Sequence, residues 1–119
     1  MSVATIINQQ LRAFTPSNVF CSWGASKFQA VGANQIEGIG ESYSGALMFF
    51  SRGFLHRGHV LISLNGMDEY TISIGSVRKG KMNVKKQIKG IHFDMLGTII
   101  DSMIETKNNY EDRKDQGAA

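Results

Sequence analysis

The clearest pattern in this chain is a two-residue alternation in its middle third. Val60, Ile62 and Leu64 lie two apart along residues 59–64. Successive side chains of a strand point to opposite faces, so these three residues predict the buried face of a strand. Residues 70–74 alternate in the same way, with Thr71 and Ser73 at positions that suit a solvated face. The pattern therefore predicts a sheet with one buried and one solvated side.

Turn residues separate these strands, and a third strand lies upstream. Asn65 and Gly66 favour a tight hairpin because both tolerate positive φ. The alternative is a longer loop with a bulge that includes residues 67–68. Residues 47–54 are apolar at several consecutive positions. That strand is therefore either covered on both sides or bulged at Gly53.

Two segments with helical spacing flank the strands. Residues 2–14 carry apolar residues three and four apart, and so do residues 91–104. This spacing predicts two amphipathic helices, of which the second begins near His92 or Phe93. Ser2 can cap the first helix, and Pro16 ends it because the residue before a proline disfavours helical dihedrals. Asp94 falls in the first turn of the second helix, where a carboxylate complements the helix dipole. The predicted stripes are Val3, Ile6, Ile7, Gln10, Leu11 and Phe14 in the first helix and Ile91, Met95, Leu96, Ile99, Ile100, Met103 and Ile104 in the second.

A second alternating segment and a long loop lie between the first helix and the central strands. Residues 19–31 predict one strand that is broken or bulged at Gly24 and Ala25, or two short strands. Trp23 is expected to be a core anchor whose N–H finds a partner. Residues 32–45 are rich in glycine and predict a loop of a length often linked to function or mobility. Their glycine spacing does not fit a dinucleotide fingerprint, because a strand and not a helix follows.

The last predicted strand is strongly basic. Residues 78–81 predict a turn, and apolar and polar residues then alternate along 82–89 until Gly90 ends the strand. Lys86 interrupts the apolar row. Lysines that face outward protect an edge strand from pairing with another chain. We therefore expect one buried face and one basic face.

Together these elements predict an α+β fold. A curved antiparallel sheet of four or five strands carries the N-terminal and C-terminal helices on one face, in α-β-β-β-β-α order. Residues 1–106 form this single domain, and residues 107–119 are expected to be a disordered acidic and polar tail. A length of 119 residues suits one domain, and 42% hydrophobic residues suffice for a packed interior.

The sequence also narrows the cellular context. No apolar run approaches the roughly 20 residues that span a bilayer. No signal peptide is visible at the start, and the single cysteine, Cys21, cannot form an internal disulfide. We therefore expect a cytoplasmic protein without a membrane partner.

Charge is unevenly distributed along the chain, whose net charge is +3. Residues 1–90 carry ten basic and four acidic side chains, and residues 91–119 carry three basic and six acidic ones. This arrangement fits either a solubilising tail or a basic binding face.

Six of the basic residues fall within twelve positions that hold no acidic residue. Cations spaced along a strand and a turn can contact successive phosphates with salt-dependent, sequence-independent affinity. Aromatic residues are scarce there, so base stacking is not indicated. A solvated, edge-protecting lysine face and an acidic protein partner are the alternatives. The candidate nucleic-acid-binding residues are Arg78, Lys79, Lys81, Lys85, Lys86 and Lys89.

No catalytic, cofactor or metal site is predicted. His56 and His59 lie at a hairpin turn, where they need not converge, and no third ligand is evident. Cys21 sits in an alternating strand pattern, which favours a buried structural thiol over a nucleophile. Asp68 and Glu69 are adjacent, so a strand would point them to opposite faces. No arrangement meets the geometric demands of an active site.

Short motifs lie at residues 21–25, 53–60 and 64–70. They resemble the Ser-Trp-Gly step, the Gly-Phe-x-x-x-Gly turn and the Leu-Asn-x-x-Asp-x-Tyr hairpin shared by small proteins encoded on plasmids and mobile elements of gut bacteria. A terminal helix with an aspartate near its start is part of the resemblance, which covers about residues 3–105. It implies fold and context and brings no catalytic residue, because that family has no established activity.

These observations lead to three functional expectations. The first is a non-enzymatic accessory protein of a mobile element that binds a macromolecule, with nucleic acid on the basic strand as the candidate partner. The alternative is a protein-interaction module or homodimer without nucleic-acid binding. A small enzyme that uses the glycine-rich loop is the third.

Overall fold

The computed structural model describes residues 3–15, 23–52 and 57–104. It confirms the α+β fold, with five antiparallel strands that lie side by side in their sequence order. The elements are α1 (Val3–Phe14), β1 (Ser26–Gly32), β2 (Gly45–Arg52), β3 (Arg57–Leu64), β4 (Tyr70–Arg78), β5 (Lys81–Ile91), a 3-10 turn (Phe93–Met95) and α2 (Leu96–Ile104). Each strand follows its neighbour through a short connection, except that twelve residues join β1 to β2.

The main core lies between the sheet and the two helices, on what we call the helix face. Val60 and Ile62 are fully buried there, as their alternation predicts. Trp23 is also fully buried and stacks against Phe49 with 6.4 Å between the ring centroids. Its indole N–H donates to the Asp101 carboxylate at 3.0 Å. The prediction of a core tryptophan with a partnered N–H is confirmed.

The apolar stripe of α1 is narrower than its sequence suggests. Ala4, Ile7 and Leu11 face the core. Ile6 and Phe14, which the helical spacing assigned to the stripe, are 37% and 51% exposed. Residues at this spacing cover a wide arc of the helix, and the sheet receives only the middle of that arc.

The opposite side of the sheet, which we call the loop face, is also buried. Thr71 and Ser73, which were expected to be solvated, are fully buried. The prediction of a solvent-exposed second face of the sheet is therefore wrong. Residues 33–44, which we call the covering loop, fold back over the strands. A second apolar cluster results, formed by Val31, Ile36, Ile39, Tyr43, Ala46, Met48, Leu61 and Met82. The strand β2 is therefore covered on both sides, one of the two possibilities that its sequence left open.

Hydrogen bonds within the covering loop fix its shape. The Tyr43 hydroxyl accepts from the Ile36 N–H at 2.8 Å and donates to the Ile36 carbonyl at 3.2 Å. The Tyr43 N–H donates to the Asn34 side-chain oxygen at 2.9 Å. Buried polar groups of the loop thus have partners, which lets a polar, glycine-rich segment cover an apolar face.

The β3–β4 connection takes the longer of the two predicted forms. Residues 65–69 form the loop, and Asp68 adopts the left-handed conformation at φ 60°. The Asn65 side chain accepts from the N–H groups of Met67 and Glu69 at 2.8 and 3.1 Å. An asparagine that bonds its own backbone a few residues ahead stabilises such loops.

Several predictions fall on residues outside the described ranges. They concern the Ser2 cap, the stop at Pro16, the thiol of Cys21, residues 53–56 and the tail from residue 107.

Candidate nucleic-acid interface

The predicted turn between β4 and β5 is a two-residue hairpin. Lys79 and Gly80 are its central residues, and both have positive φ, 53° and 76°. Arg78 and Lys81 pair directly across it. Positive φ at both central positions gives the turn whose twist matches that of the flanking strands. Three cations are thereby placed at one end of the sheet.

A bulge in β5 decides which way the following lysines face. Gly75 pairs with Val84 and Ile74 pairs with Lys86, so Lys85 is an extra residue without a cross-strand partner. A Cβ on Gly75 would overlap the backbone carbonyl of Asn83, so glycine permits this close approach. An extra residue reverses the alternation of side chains beyond it.

The bulge corrects the predicted alternation of β5. Met82 and Val84 belong to the loop-face cluster, whereas Ile88 packs into the helix-face core. Lys86, which interrupts the apolar row in the sequence, lies beside Ile74 at the margin of the helix face and remains exposed. The strand has no single basic face, because its apolar residues serve both sides of the sheet.

Gly90 does not end β5. The strand continues to Ile91, and Gly90 has a φ of 70° at a second irregularity in the pairing with β4. Left-handed dihedrals at a bulge are readily available to glycine, so the strand can bend without stopping.

The six predicted cations divide into two groups. Arg78, Lys79, Lys81, Lys85 and Lys86 are exposed along one hairpin, which we call the basic hairpin. Among the residues that the structure describes, none of the five forms an ion pair. Lys89 differs, because its ammonium lies 3.7 Å from the Glu41 carboxylate of the covering loop. Lys89 thus connects β5 to the covering loop through an ion pair, whereas the other five predicted cations have none among the described residues.

Glu41 also anchors the covering loop to the buried hydroxyls of the loop face. The Thr71 hydroxyl donates to its second carboxylate oxygen at 2.5 Å. Two residues after Thr71 in β4, the Ser73 hydroxyl accepts from the Gln87 amide at 2.9 Å, and the same amide donates to the Ile39 carbonyl at 2.8 Å. These bonds satisfy polar groups that the loop removes from water.

An open cleft of about 800 Å³ lies beside the end of the basic hairpin. Its lining residues are Glu37, Ser76, Arg78, Lys79, Lys81, Met82 and Asn83. Glu37 reaches it by docking on the outer edge of β5, where its carbonyl accepts from the Met82 N–H at 2.7 Å and its N–H donates to the Gly80 carbonyl at 2.9 Å. The walls of the cleft therefore combine three cations, two neutral polar side chains and one carboxylate.

His59 lies on the loop face close to the base of this hairpin. Its Nδ1 accepts from the Val77 N–H at 3.3 Å, and its ring meets Phe50 edge-on at 5.4 Å. Burial lowers the pKa of His59, and the positive charge of Lys27 lowers this pKa further. A neutral imidazole can accept this hydrogen bond and a doubly protonated one cannot.

The other sequence candidates do not come together. His56 and Cys21 fall outside the described ranges, and the remaining histidine of the chain, His92, is exposed just before the 3-10 turn. Asp68 is exposed in the β3–β4 loop and Glu69 is half-buried there. Within residues 3–15, 23–52 and 57–104, no group of three or more histidine, cysteine, aspartate or glutamate side chains is placed to hold a metal ion.

Three residues of the candidate interface were missed by sequence reasoning. Ser76 and Asn83 are neutral, and they pair across the hairpin on the same face as Arg78 and Lys81. Their position between the cations was the available signal. Glu37 gave no signal, because its place depends on how the covering loop folds back.

Comparisons with protein families, curated proteins and solved structures find no match for this chain. In the part of the chain that the structure describes, no helix has the length and apolar character needed to cross a membrane.

Proposed function

We propose that this chain is a non-enzymatic accessory protein that binds nucleic acid through the basic hairpin. The observation that carries the proposal is the exposure of Arg78, Lys79, Lys81, Lys85 and Lys86 on one hairpin, with no ion-pair partner among the described residues. Unpaired cations on one surface raise the local potential and attract a polyanion. A cytoplasmic location belongs to the same proposal, and the single cysteine supports it.

The physical basis is the release of counterions from the phosphate backbone. Each phosphate neutralised by Lys or Arg contributes about −0.9 to the slope of log affinity against log salt concentration. Four contacts from the basic hairpin would give a slope of about −3.6, which lowers the affinity about 150-fold over a fourfold rise in salt.

The test is fluorescence anisotropy of a labelled, mixed-sequence DNA titrated with the full chain at several salt concentrations. The double variant Lys85→Glu/Lys86→Glu should weaken binding more than about tenfold at low salt and flatten the salt slope, because two phosphate contacts become repulsive. Unchanged binding in this variant would exclude the basic hairpin as the interface.

A charge-matched control comes from the other edge of the sheet. Arg12→Glu/Lys27→Glu changes the net charge by the same amount, and both residues are exposed on α1 and β1. This control should bind much more tightly than the hairpin variant. Equal weakening in both would show that net charge alone drives the attraction, and the proposal would fall.

A second candidate function, self-association, is favoured by an exposed aromatic pair. Phe14 and Phe93 meet edge-on at 5.4 Å, and they are 51% and 46% exposed. Met95, in the same 3-10 turn as Phe93, is 44% exposed. Large exposed apolar side chains that cluster are typical of protein-interaction surfaces.

Solution mass separates this candidate from nucleic-acid binding. A homodimer should show twice the monomer mass of 13.1 kDa by light scattering, and Phe14→Ser/Phe93→Ser should return it to the monomer mass. A monomer mass at high concentration would remove self-association through this pair.

A further inference from the structure

The end of the β4–β5 hairpin extends beyond the residue pairs that join β4 to β3. The pairing of β3 with β4 reaches His59 and Gly75 and goes no further in this direction. Three more pairs join β4 to β5 alone, namely Ser76 with Asn83, Val77 with Met82 and Arg78 with Lys81. Residues 76–83, which we call the ribbon, therefore form an antiparallel pair of strands closed by a two-residue turn. The backbone of Glu37 in the covering loop docks on the outer edge of the second strand, so only the polar face and the turn of the ribbon are open.

The ribbon has one apolar and one polar face. Val77 and Met82 pack on the loop-face cluster beneath the covering loop. The other face carries Ser76 opposite Asn83 and Arg78 opposite Lys81, and all four are exposed. The apolar face is thus occupied, and the polar face is the one open to a partner.

The bulge at Lys85 extends this polar face toward the body of the sheet. Because the alternation reverses there, Lys86 lies on the same side of the sheet as Asn83 and Lys81. From Lys86, which pairs with Ile74, to Lys81, which pairs with Arg78, the polar face runs about 13 Å at a rise of roughly 3.3 Å per residue of β4.

The dimensions and chemistry of this face match the major groove of double-stranded DNA. That groove is about 12 Å wide and admits a two-stranded β-ribbon. Arg and Lys donate to guanine, Asn pairs with adenine and Ser bonds to several base edges, so the side-chain types of the face are those that read bases. The duplex phosphates complement the flanking charges of Lys79, Lys85 and Lys86.

Two other nucleic acids fit the ribbon less well. Single strands are held mainly by stacking on aromatic side chains, and residues 74–86 contain none. Double-stranded RNA has a deep, narrow major groove that side chains cannot enter. Charge alone would not distinguish these partners, so the distinction rests on the shape of the ribbon and on its lack of aromatic residues.

We propose that the ribbon inserts its polar face into the major groove of double-stranded DNA. Arg78, Lys81 and Asn83 then face base edges, and Lys79 and Lys85 contact the flanking phosphates. This inference rests on the proposed nucleic-acid binding and narrows its partner to B-form duplex DNA.

The experiment compares three probes of one sequence and length, which are duplex DNA, duplex RNA and single-stranded DNA, by anisotropy at one moderate salt concentration. Duplex DNA should bind at least about tenfold more tightly than either other probe. Equal binding of all three would overturn insertion into the groove while leaving the proposed function standing. Failure of all three probes to bind would overturn the proposed function itself.

Two further measurements locate the contact. A duplex with bulky groups at pyrimidine C5, which fill the major groove, should bind about tenfold more weakly, whereas a minor-groove ligand should leave binding unchanged. Displacement by the minor-groove ligand alone would overturn the proposal.

The neutral variant Ser76→Ala/Asn83→Ala tests the base-facing residues without a change of charge. Both positions are exposed, so the melting temperature should stay unchanged. The affinity for duplex DNA should fall severalfold with the salt slope retained, because a contact to bases and not to phosphate is lost. Wild-type affinity for every duplex sequence tested would contradict a base-facing role.

Discussion

The two faces of the sheet are both buried, but they are covered by different means. On the helix face, two amphipathic helices lie over large aliphatic and aromatic residues such as Phe49 and Ile62. On the loop face, an irregular segment of twelve residues covers smaller residues and buried hydroxyls. The helix face is sealed by apolar contact, and the loop face combines apolar contact with hydrogen bonds from Glu41 and Gln87.

The difference shows that burial of a sheet face does not require a partner with regular periodicity. Buried hydroxyls such as those of Thr71 and Ser73 are tolerated because the covering loop and β5 bring polar partners to them. A cover of this kind makes fewer apolar contacts, so we expect it to contribute less stability than the helices do. Four variants test this comparison.

The largest effect is expected on the helix face, from Phe49→Ala. Phe49 is fully buried, stacks with Phe28 at 5.2 Å and lies 6.4 Å from the ring of Trp23. Loss of a buried ring with incomplete collapse of the cavity costs about 4 kcal/mol. Urea unfolding should show a lower midpoint with an unchanged slope, and a cost below about 1 kcal/mol would contradict a core centred on this ring.

A smaller effect is expected on the loop face, from Ile39→Ala. Ile39 is buried under the covering loop and belongs to the second cluster. The loop can settle toward the sheet and fill part of the space, so the cost should be about 2 kcal/mol. Hydrogen exchange should rise in the loop with little change in β2 and β3. A cost equal to that of Phe49→Ala would remove the difference between the faces.

Next in size is Gly38→Ala, with Gly40→Ala as its matched control. Both glycines have positive φ, 94° and 88°. A Cβ at Gly38 would overlap the Met82 carbonyl oxygen, whereas a Cβ at Gly40 meets open space. Dihedral strain is therefore common to both variants, and Gly38→Ala should cost about 1–2 kcal/mol more. Equal melting temperatures would mean that the loop does not dock closely on the edge of β5.

The smallest effect concerns pH and the exposed end of the loop face. The pKa of His59 is lowered by burial and by Lys27, so the unfolded chain binds more protons than the folded one below the usual histidine pKa of about 6.5. This contribution to stability is full above that value and is lost as the pH falls through the lower folded pKa. The urea concentration at the unfolding midpoint should therefore decrease when the pH is lowered from 7.5 to 5.5, which spans the usual histidine pKa of about 6.5.

The variant His59→Gln should lose part of this pH dependence. His92→Gln, at an exposed position, is the matched control and should retain the wild-type difference between the two pH values. A His59 variant with the full wild-type pH dependence would show that the hydrogen bond from Val77 does not sense protonation.

Much of the fold could be predicted because its elements carry local patterns. The alternation of residues 60–64 and the helical spacing of residues 96–104 each reflect burial against a regular neighbour. The start of the C-terminal helix was predicted too early, because Ile91 belongs to β5 and Met95 lies exposed in a 3-10 turn. The turn at Lys79 and Gly80 could also be predicted, because turn residues such as glycine mark it locally. The stripe of α1 was predicted too wide, because spacing alone does not say how much of a helix surface the sheet will accept.

The candidate interface was predicted in composition and not in arrangement. The six cations were evident from their density, but the bulge at Lys85 was not, because one extra residue in a ladder leaves no mark in the alternation of a single strand. The bulge separates Ile88 from Met82 and places Lys86 with the polar face of the ribbon. Lys89 differs from the other five cations through a contact with Glu41, which is 48 residues earlier in the chain.

The sequence by itself determined the order of helices and strands, the helix-face core and the basic hairpin, because each depends on neighbours within about one turn or one strand pair. The tertiary structure decided that the loop face is buried and that Thr71 and Ser73 are shielded from solvent. It also decided that Ser76 and Asn83 lie beside the cations on the ribbon. These outcomes depend on where a glycine-rich segment lands and on the strand register. Both are set by contacts between residues far apart in the chain, which no local pattern records.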